Sequence, residues 1–245
     1  MKKPYIYGHR GASGYCIENT MESFKKAIEL KVGIETDVRL TKDNKLVCFH
    51  DHEFKIGSNS YLVKELTFAE LKALPFGDNR EIPTTEELFK TFGQECETLR
   101  FSCDIGNRKA GLELISAANK YSVLDKIEIT DFKIPILKFL KKKDDKVRLI
   151  KSVPPFITNI NKNTVDFDKL DELNIDTINI QYKGNLMKNF RNIIDNGFKC
   201  YIYGVNLSTR MKKVLNFKYK DHIVEGIYSD YPDKVKKLRD EIFKN

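Results

Sequence analysis

Short apolar runs of β character alternate with amphipathic helical stretches along this chain, and that alternation limits the fold more than any other feature. The strand-like runs are Tyr5–His9, Ile34–Val38, Leu46–His50, Phe101–Ile105, Ile127–Thr130, Val147–Ser152, Thr177–Gln181, Tyr201–Val205 and Gly226–Ser229. Helix-like stretches include Thr20–Leu30, Ala110–Tyr121, Ile134–Lys142, Lys188–Asn196 and Ser208–Asn216. Asn19-x-x-Glu22, Thr67-x-x-Glu70 and Thr84-x-x-Glu87 read as capping boxes that start helices. Alternation of this kind predicts a parallel sheet with helices outside. A length of 245 residues suits its closure into a TIM-like (β/α)8 barrel, with residues 1–245 forming one domain. Nine strand candidates compete for eight barrel places, so one is peripheral.

The step from Asp37 to His50 is too short for a crossover helix, which parallel neighbours need. A two-residue turn at Asp43-Asn44 would make a hairpin in which Asp37 faces His50. An extended return to the same rim is the other geometry, and both bring His50 near the acidic residues. The stretch from Asp51 to Ile82 shows little regular pattern beyond a short helix at Thr67–Leu74, and is long for a barrel loop.

Composition excludes several classes. Hydrophobic content of 41%, with 16 Phe and 11 Tyr, supports a sizeable core rather than disorder. No apolar run approaches the roughly 20 residues needed to span a membrane, and the N-terminus lacks the apolar segment of a secretory signal. The net charge of +8 reads mainly as a Lys-rich solvated surface, with no nucleic-acid motif beside it. Five cysteines without a C-x-x-C spacing argue against zinc and for a reducing cytoplasm.

The chemistry concentrates at strand ends. His9-Arg10 ends the first apolar run and His50-Asp51 another. Glu35 and Asp37 are two apart in a strand, so their side chains share one face, and a buried acidic pair calls for a cation or a proton. Two imidazoles can take and give protons near neutral pH, and carboxylates hold hard divalent cations. Arg10 offers a planar fork of donors for phosphate oxygens, with ion pairs to Glu18 or Glu35 as its structural alternative.

The pattern His9-Arg10-Gly11, Glu18-Asn19-Thr20, Glu35-x-Asp37-Val38, Thr41-x-Asp43 and His50-Asp51 resembles the glycerophosphodiester phosphodiesterase family. The likeness extends through Tyr203-Gly204-Val205-Asn206 to Ser229-Asp230-Tyr231-Pro232. It implies metal-dependent hydrolysis of small glycerophosphodiesters to an alcohol and glycerol 3-phosphate, with His9 and His50 as the acid–base pair. It leaves open which ring is acid and whether water or a neighbouring substrate hydroxyl attacks. Glu35, Asp37 and Asp104 become the ligands of one divalent cation, Mg²⁺ or Ca²⁺, with Mn²⁺ also suited to such an oxygen site. Arg10 and Tyr203 become substrate contacts, Glu18 a group orienting His9, and Asn19 an orienting residue that also caps the helix. Residues 51–82 become an insertion after the third strand that caps the active-site rim.

One departure stands out. Where the family commonly has Glu-x-Lys, this chain has Asp104-Ile105-Gly106, so the carboxylate is shorter and the phosphate-contacting lysine is missing. Lys151, near the end of a later strand, is the candidate replacement. The departure supports an alternative reading as a catalytically weak relative that binds phosphate-containing ligands. A lysophospholipase D-like enzyme is a further alternative.

Overall fold

The computed structural model describes residues 2–244. Eight parallel strands close into a barrel: β1 (Tyr5–Gly8), β2 (Gly33–Leu40), β3 (Phe101–Ile105), β4 (Ile127–Asp131), β5 (Arg148–Ser152), β6 (Thr177–Gln181), β7 (Lys199–Tyr203) and β8 (Gly226–Ser229). Closure comes from β1, which pairs with β8 on one side and β2 on the other, Gly8 lying opposite both Ser229 and Ile34. The ninth candidate is the peripheral one. Leu46–Cys48 pairs antiparallel with the far end of β2 and adds nothing to the closed ring. No helix among the described residues is long and apolar enough to cross a membrane.

Parity along the strands divides the molecule. Ile34, Val38, Phe101, Cys103, Ile105, Ile127 and Ile129 pack outward against the helices in one continuous buried cluster. Inside the barrel sits a smaller floor of Tyr7, Ile150, Tyr201 and Tyr228. A buried carboxylate, Glu128, accepts hydrogen bonds from Tyr7 and Tyr201 and pairs with Arg148 at 2.8 Å. These contacts satisfy a charge that burial would otherwise make costly. The floor leaves only the C-terminal end of the barrel open, where loops after the strands surround a mouth.

The hairpin register differs from the expected one. Val38 faces Cys48 and Leu40 faces Leu46, and the Phe49 amide donates to the Asp37 carbonyl. The turn is a five-residue loop, Thr41–Lys45, held by the Thr41 side chain at both ends and by Asn44 at φ 62°. Asp37 therefore lies beside Phe49 and not opposite His50. The one-residue shift puts Phe49 into a separate apolar cluster with Val47, Phe54, Val63, Leu71 and Ile82. That cluster is the core of segment 51–82, which also holds an antiparallel hairpin, Glu53–Ile56 with Asn59–Leu62, that sequence pattern does not reveal. Capping boxes form at Thr67 with Glu70 and at Thr84 with Glu87. The first helix, Met21–Glu29, is capped instead by Thr20 with Ser23, which leaves Asn19 for another task.

Candidate active site

The open end of the barrel encloses a cavity of about 530 Å³. Of the residues singled out from sequence, His9, Arg10, Glu35, Asp37, His50, Asp104 and Tyr203 line it. Glu18, Asn19 and Lys151 do not.

Both histidines place Nδ1 on an aspartate. His9 Nδ1 bonds Asp230 Oδ1 at 2.8 Å, and His50 Nδ1 bonds Asp51 Oδ1 at 2.7 Å. Nε2 of each ring has no hydrogen bond among the described residues. Burial lowers the affinity of His9 for a proton, but Glu35 and the bond to Asp230 outweigh it, so the net pKa lies above the ordinary histidine value. Asp230 is itself fixed by Asn206, whose amide donates to Asp230 Oδ2 and whose carbonyl oxygen accepts from the Asp230 amide at 3.0 Å. The segments after β7 and β8 thus act together behind His9.

The carboxylates stack across neighbouring strands. Asp37 on β2 is directly opposite Asp104 on β3, with Glu35 one pleat below. Burial, the largest influence on Glu35, pushes it up to about 7 against the opposing pull of His9, and Asp37 adds to the rise. Asp104 is held well above the usual carboxylate range by burial and then by Asp37. Asp37 goes the other way, because Arg10, His50 and Arg39 outweigh its burial. Hard oxygen donors under mutual repulsion suit a divalent cation chemically. Among the described residues these side chains are not drawn together to ligand spacing, and Asp37 is engaged by arginines.

Arg10 sits at φ 52°, followed by Gly11 at φ 78°. A Cβ on Gly11 would fall 2.4 Å from Ser23 Oγ, so the turn after β1 needs glycine both for conformation and for space. The turn aims the Arg10 amide at Glu35 Oε2, 2.7 Å away, and its guanidinium at Glu18 Oε2, 2.6 Å away. Arg10 Nε is buried and forms an ion pair with Asp37 Oδ2 at 3.2 Å, outside hydrogen-bond geometry. Glu18 therefore orients Arg10 and not His9. Asn19, in the left-handed region at φ 55°, accepts from Thr36 Oγ1 at 2.7 Å and donates to Asp37 Oδ2 at 3.1 Å. It orients a carboxylate instead of capping the helix.

Lys151 is the clear correction. Ile150 packs into the barrel floor and Ser152 lines the mouth, so Lys151 between them points outward. Its Nζ donates to the Phe132 carbonyl at 2.7 Å and the Ser152 carbonyl at 2.5 Å. Burial lowers its pKa to about 8. It cannot replace a cation inside the mouth.

Sequence reading missed three other mouth residues. Arg39 continues the inward face of β2 after Glu35 and Asp37, a parity signal that was available. It donates to the carbonyls of His50 at 2.9 Å, Val38 at 3.0 Å and Asp104 at 3.2 Å. Lys133 follows β4 and lines the rim with Asp131. His52 enters from the start of the inserted hairpin, and burial, then Arg39, His50 and Lys133, lowers its pKa. Nothing in the local sequence marks it.

Comparison with known proteins agrees with the fold. The model of the glycerophosphoryl diester phosphodiesterase family matches residues 9–234. A glycerophosphodiester phosphodiesterase of Bacillus subtilis is 28% identical over 94% of this chain and 85% of its own length. One from Caldanaerobacter subterraneus is 35% identical over 57% of this chain and 63% of its own. In fold, an Oleispira antarctica phosphodiesterase solved in complex with the product sn-glycerol-3-phosphate superimposes with a TM-score of 0.80 at 21% identity, covering 97% of both chains. A Galdieria sulphuraria structure gives 0.82 at 21% identity, over 97% of this chain and 98% of its own. The chain belongs to the glycerophosphodiester phosphodiesterase family.

Proposed function

We propose that this protein hydrolyses small glycerophosphodiesters to an alcohol and glycerol 3-phosphate, with His9 and His50 exchanging the protons. The observation that carries the reading is the matched pair of imidazoles in one acidic mouth, each with Nδ1 on an aspartate and Nε2 without a hydrogen bond among the described residues, that of His9 facing Glu35 Oε2 at 3.9 Å. Donation from Nδ1 to a carboxylate leaves Nε2 as the basic nitrogen. One Nε2 takes the proton of the attacking hydroxyl, and the other ring, protonated, gives one to the leaving alkoxide. Arg10 lines the mouth beside Asp37 and would present the rest of its guanidinium to the phosphate, and Tyr203 forms a wall for the glycerol carbons.

Glu35, Asp37 and Asp104 are the residues that would hold a divalent cation, Mg²⁺ or Ca²⁺ first and Mn²⁺ next. Bound there, it would neutralise charge growing on the non-bridging oxygens. The upward shifts of Glu35 and Asp104, caused first by burial and then by neighbouring carboxylates, favour this, since a cation would offset both costs. Segment 51–82 belongs to the same unit as its cap. Five free cysteines, three of them buried, suit a reducing compartment such as the cytoplasm.

The test is release of glycerol 3-phosphate from glycerophosphocholine, followed by a coupled enzyme, with and without chelator. Release that stops with chelator supports the reading. Binding of glycerol 3-phosphate without any turnover would move the chain to the weak-relative class. One observation favours a second reading, a lysophospholipase D-like substrate. Phe132 and Lys133 line both the mouth and an adjoining apolar groove with Ile134, Pro154 and Ile157, and Phe156 beside it is 81% exposed. Preference for lysophosphatidylcholine over glycerophosphocholine in the same assay selects that reading.

A further inference from the structure

We propose that His52, carried in by the insertion and seated on Gly106, is a phosphate-contacting residue of this mouth. The inference rests on the diester-binding reading above. It begins with the glycine. Gly106 has no positive φ, so its backbone does not call for glycine. A Cβ there would lie 2.3 Å from His52 Cε1 and 3.0 Å from Nε2. The glycine is therefore the seat of the imidazole. The place left by the absent lysine is filled, and filled from another segment of the chain.

His52 is held at the backbone and left free at the ring. The Val63 amide donates to its carbonyl at 3.1 Å, fixing the entry to the inserted hairpin. Its imidazole makes no hydrogen bond or ion pair among the described residues, although it lines the cavity. The other cations near the mouth are largely committed. Arg39 serves three carbonyls, Arg10 is paired with Glu18 and Asp37, and Lys151 lies outside the barrel, which leaves Lys133 on the rim as the rival cation. His52 is exposed at the cavity rim with no hydrogen bond from its ring to any described carboxylate, which leaves an imidazole N–H for a non-bridging oxygen of a bound phosphate.

A mutant cycle decides it, with protein assayed in saturating divalent cation. His52→Ala should raise KM for glycerophosphocholine, and weaken binding of glycerol 3-phosphate measured by calorimetry, by about tenfold, the size of one hydrogen bond to a charged group. Turnover at saturation should fall less. His52→Gln, which keeps a donor, should recover part of the loss. Gly106→Lys alone should be harmful, because the ring blocks the new side chain. In the His52→Ala background the same lysine should be beneficial, so one substitution changes sign with its partner. If His52→Ala leaves both KM and glycerol 3-phosphate affinity unchanged, or if the two substitutions simply add, the proposal is overturned. It is also overturned if Lys133→Ala carries the whole loss. The calorimetric arm keeps the two readings apart. A wild type that binds glycerol 3-phosphate through His52 but cleaves no diester sinks the proposed function and leaves this contact standing.

Discussion

The two sides of the mouth hold equivalent histidines by different means. On the barrel side, His9 is tied to Asp230, 221 residues away in sequence, and Asp230 is locked in turn by Asn206. The His9 and Asp230 side chains are 24% and 30% exposed. On the insertion side, His50 leans on its own neighbour Asp51, and those side chains are 42% and 52% exposed. The main long-range anchor there is Arg39, which grips the His50 carbonyl and not the ring. The same 2.7–2.8 Å contact is thus enforced by barrel closure on one side and by an adjacent residue on the other. A ring held by a closed network is preorganised, whereas a ring on a loop can follow the substrate. That contrast suits a site that must admit a diester and then enclose it.

The sharpest challenge to this picture treats both sides as dependent on one ion. Chelation should lower turnover by roughly a thousandfold, as expected where a cation supplies several kcal/mol of transition-state stabilisation. Mg²⁺, Ca²⁺ or Mn²⁺ should restore it. Full activity in excess chelator, with no metal by elemental analysis, would remove the three carboxylates from the mechanism. Next in size, His9→Ala and His50→Ala should each cost at least about a hundredfold in turnover. Both should fold normally, which thermal denaturation can check. Near-normal turnover in either variant would mean that its ring is structural and that the two sides are not equivalent.

What the sequence made legible follows from how each feature is encoded. The barrel strands were readable because their outward residues are continuously apolar while helices of different period separate them. The acidic pair was readable because a two-residue spacing fixes a shared face. Asp230 was within reach too: once the barrel closes, Gly8 faces Ser229, so the next residues on each strand, His9 and Asp230, must be neighbours. Lys151 was misread because Leu149, Ile150, Lys151 and Ser152 are all buried, and a strand covered on both faces carries no polar alternation to show direction. The helix cap was misplaced at Asn19, whose left-handed backbone shifts it to Thr20, whereas an orienting part for Asn19 agrees with its bond to Asp37. His52 depends on how a hairpin enters from a separate core, and no local signal records that.

The contrast between the two histidine supports predicts a graded pair of effects. Asp230→Asn keeps the shape but loses the charge that selects the His9 tautomer, and it also disturbs Asn206. It should lower turnover by roughly tenfold to a hundredfold, the range found for groups that orient a functional histidine. Asp51→Asn should cost less than about tenfold, since solvent can replace an exposed partner. Steady-state turnover of the two variants, with proton NMR of the ring nitrogens, measures this directly. Equal losses, or a larger loss at Asp51, would reverse the assignment of the rigid side.

The smallest effect on activity is expected from Lys151, which belongs to neither side. Its ammonium lies outside the barrel against two carbonyls, so Lys151→Met should leave turnover within about twofold of wild type. The residue should show itself in stability instead. Its pKa falls from the ordinary lysine value near 10.5 to about 8 when folded, mainly by burial. Below pH 8 both states carry the proton, and the folded state bears the cost of a buried charge. Between pH 8 and 10.5 the unfolded chain binds more protons than the folded one, so stability rises with pH. The unfolding free energy of wild type relative to Lys151→Met should therefore increase across that window, by at most about 1.4 kcal/mol per pH unit. Denaturant titrations at pH 7.5, 8.5 and 9.5 read the slope. A flat difference would mean that the ammonium is solvated. A large loss of turnover would mean that it reaches the mouth, which would return to Lys151 the phosphate contact assigned above to His52.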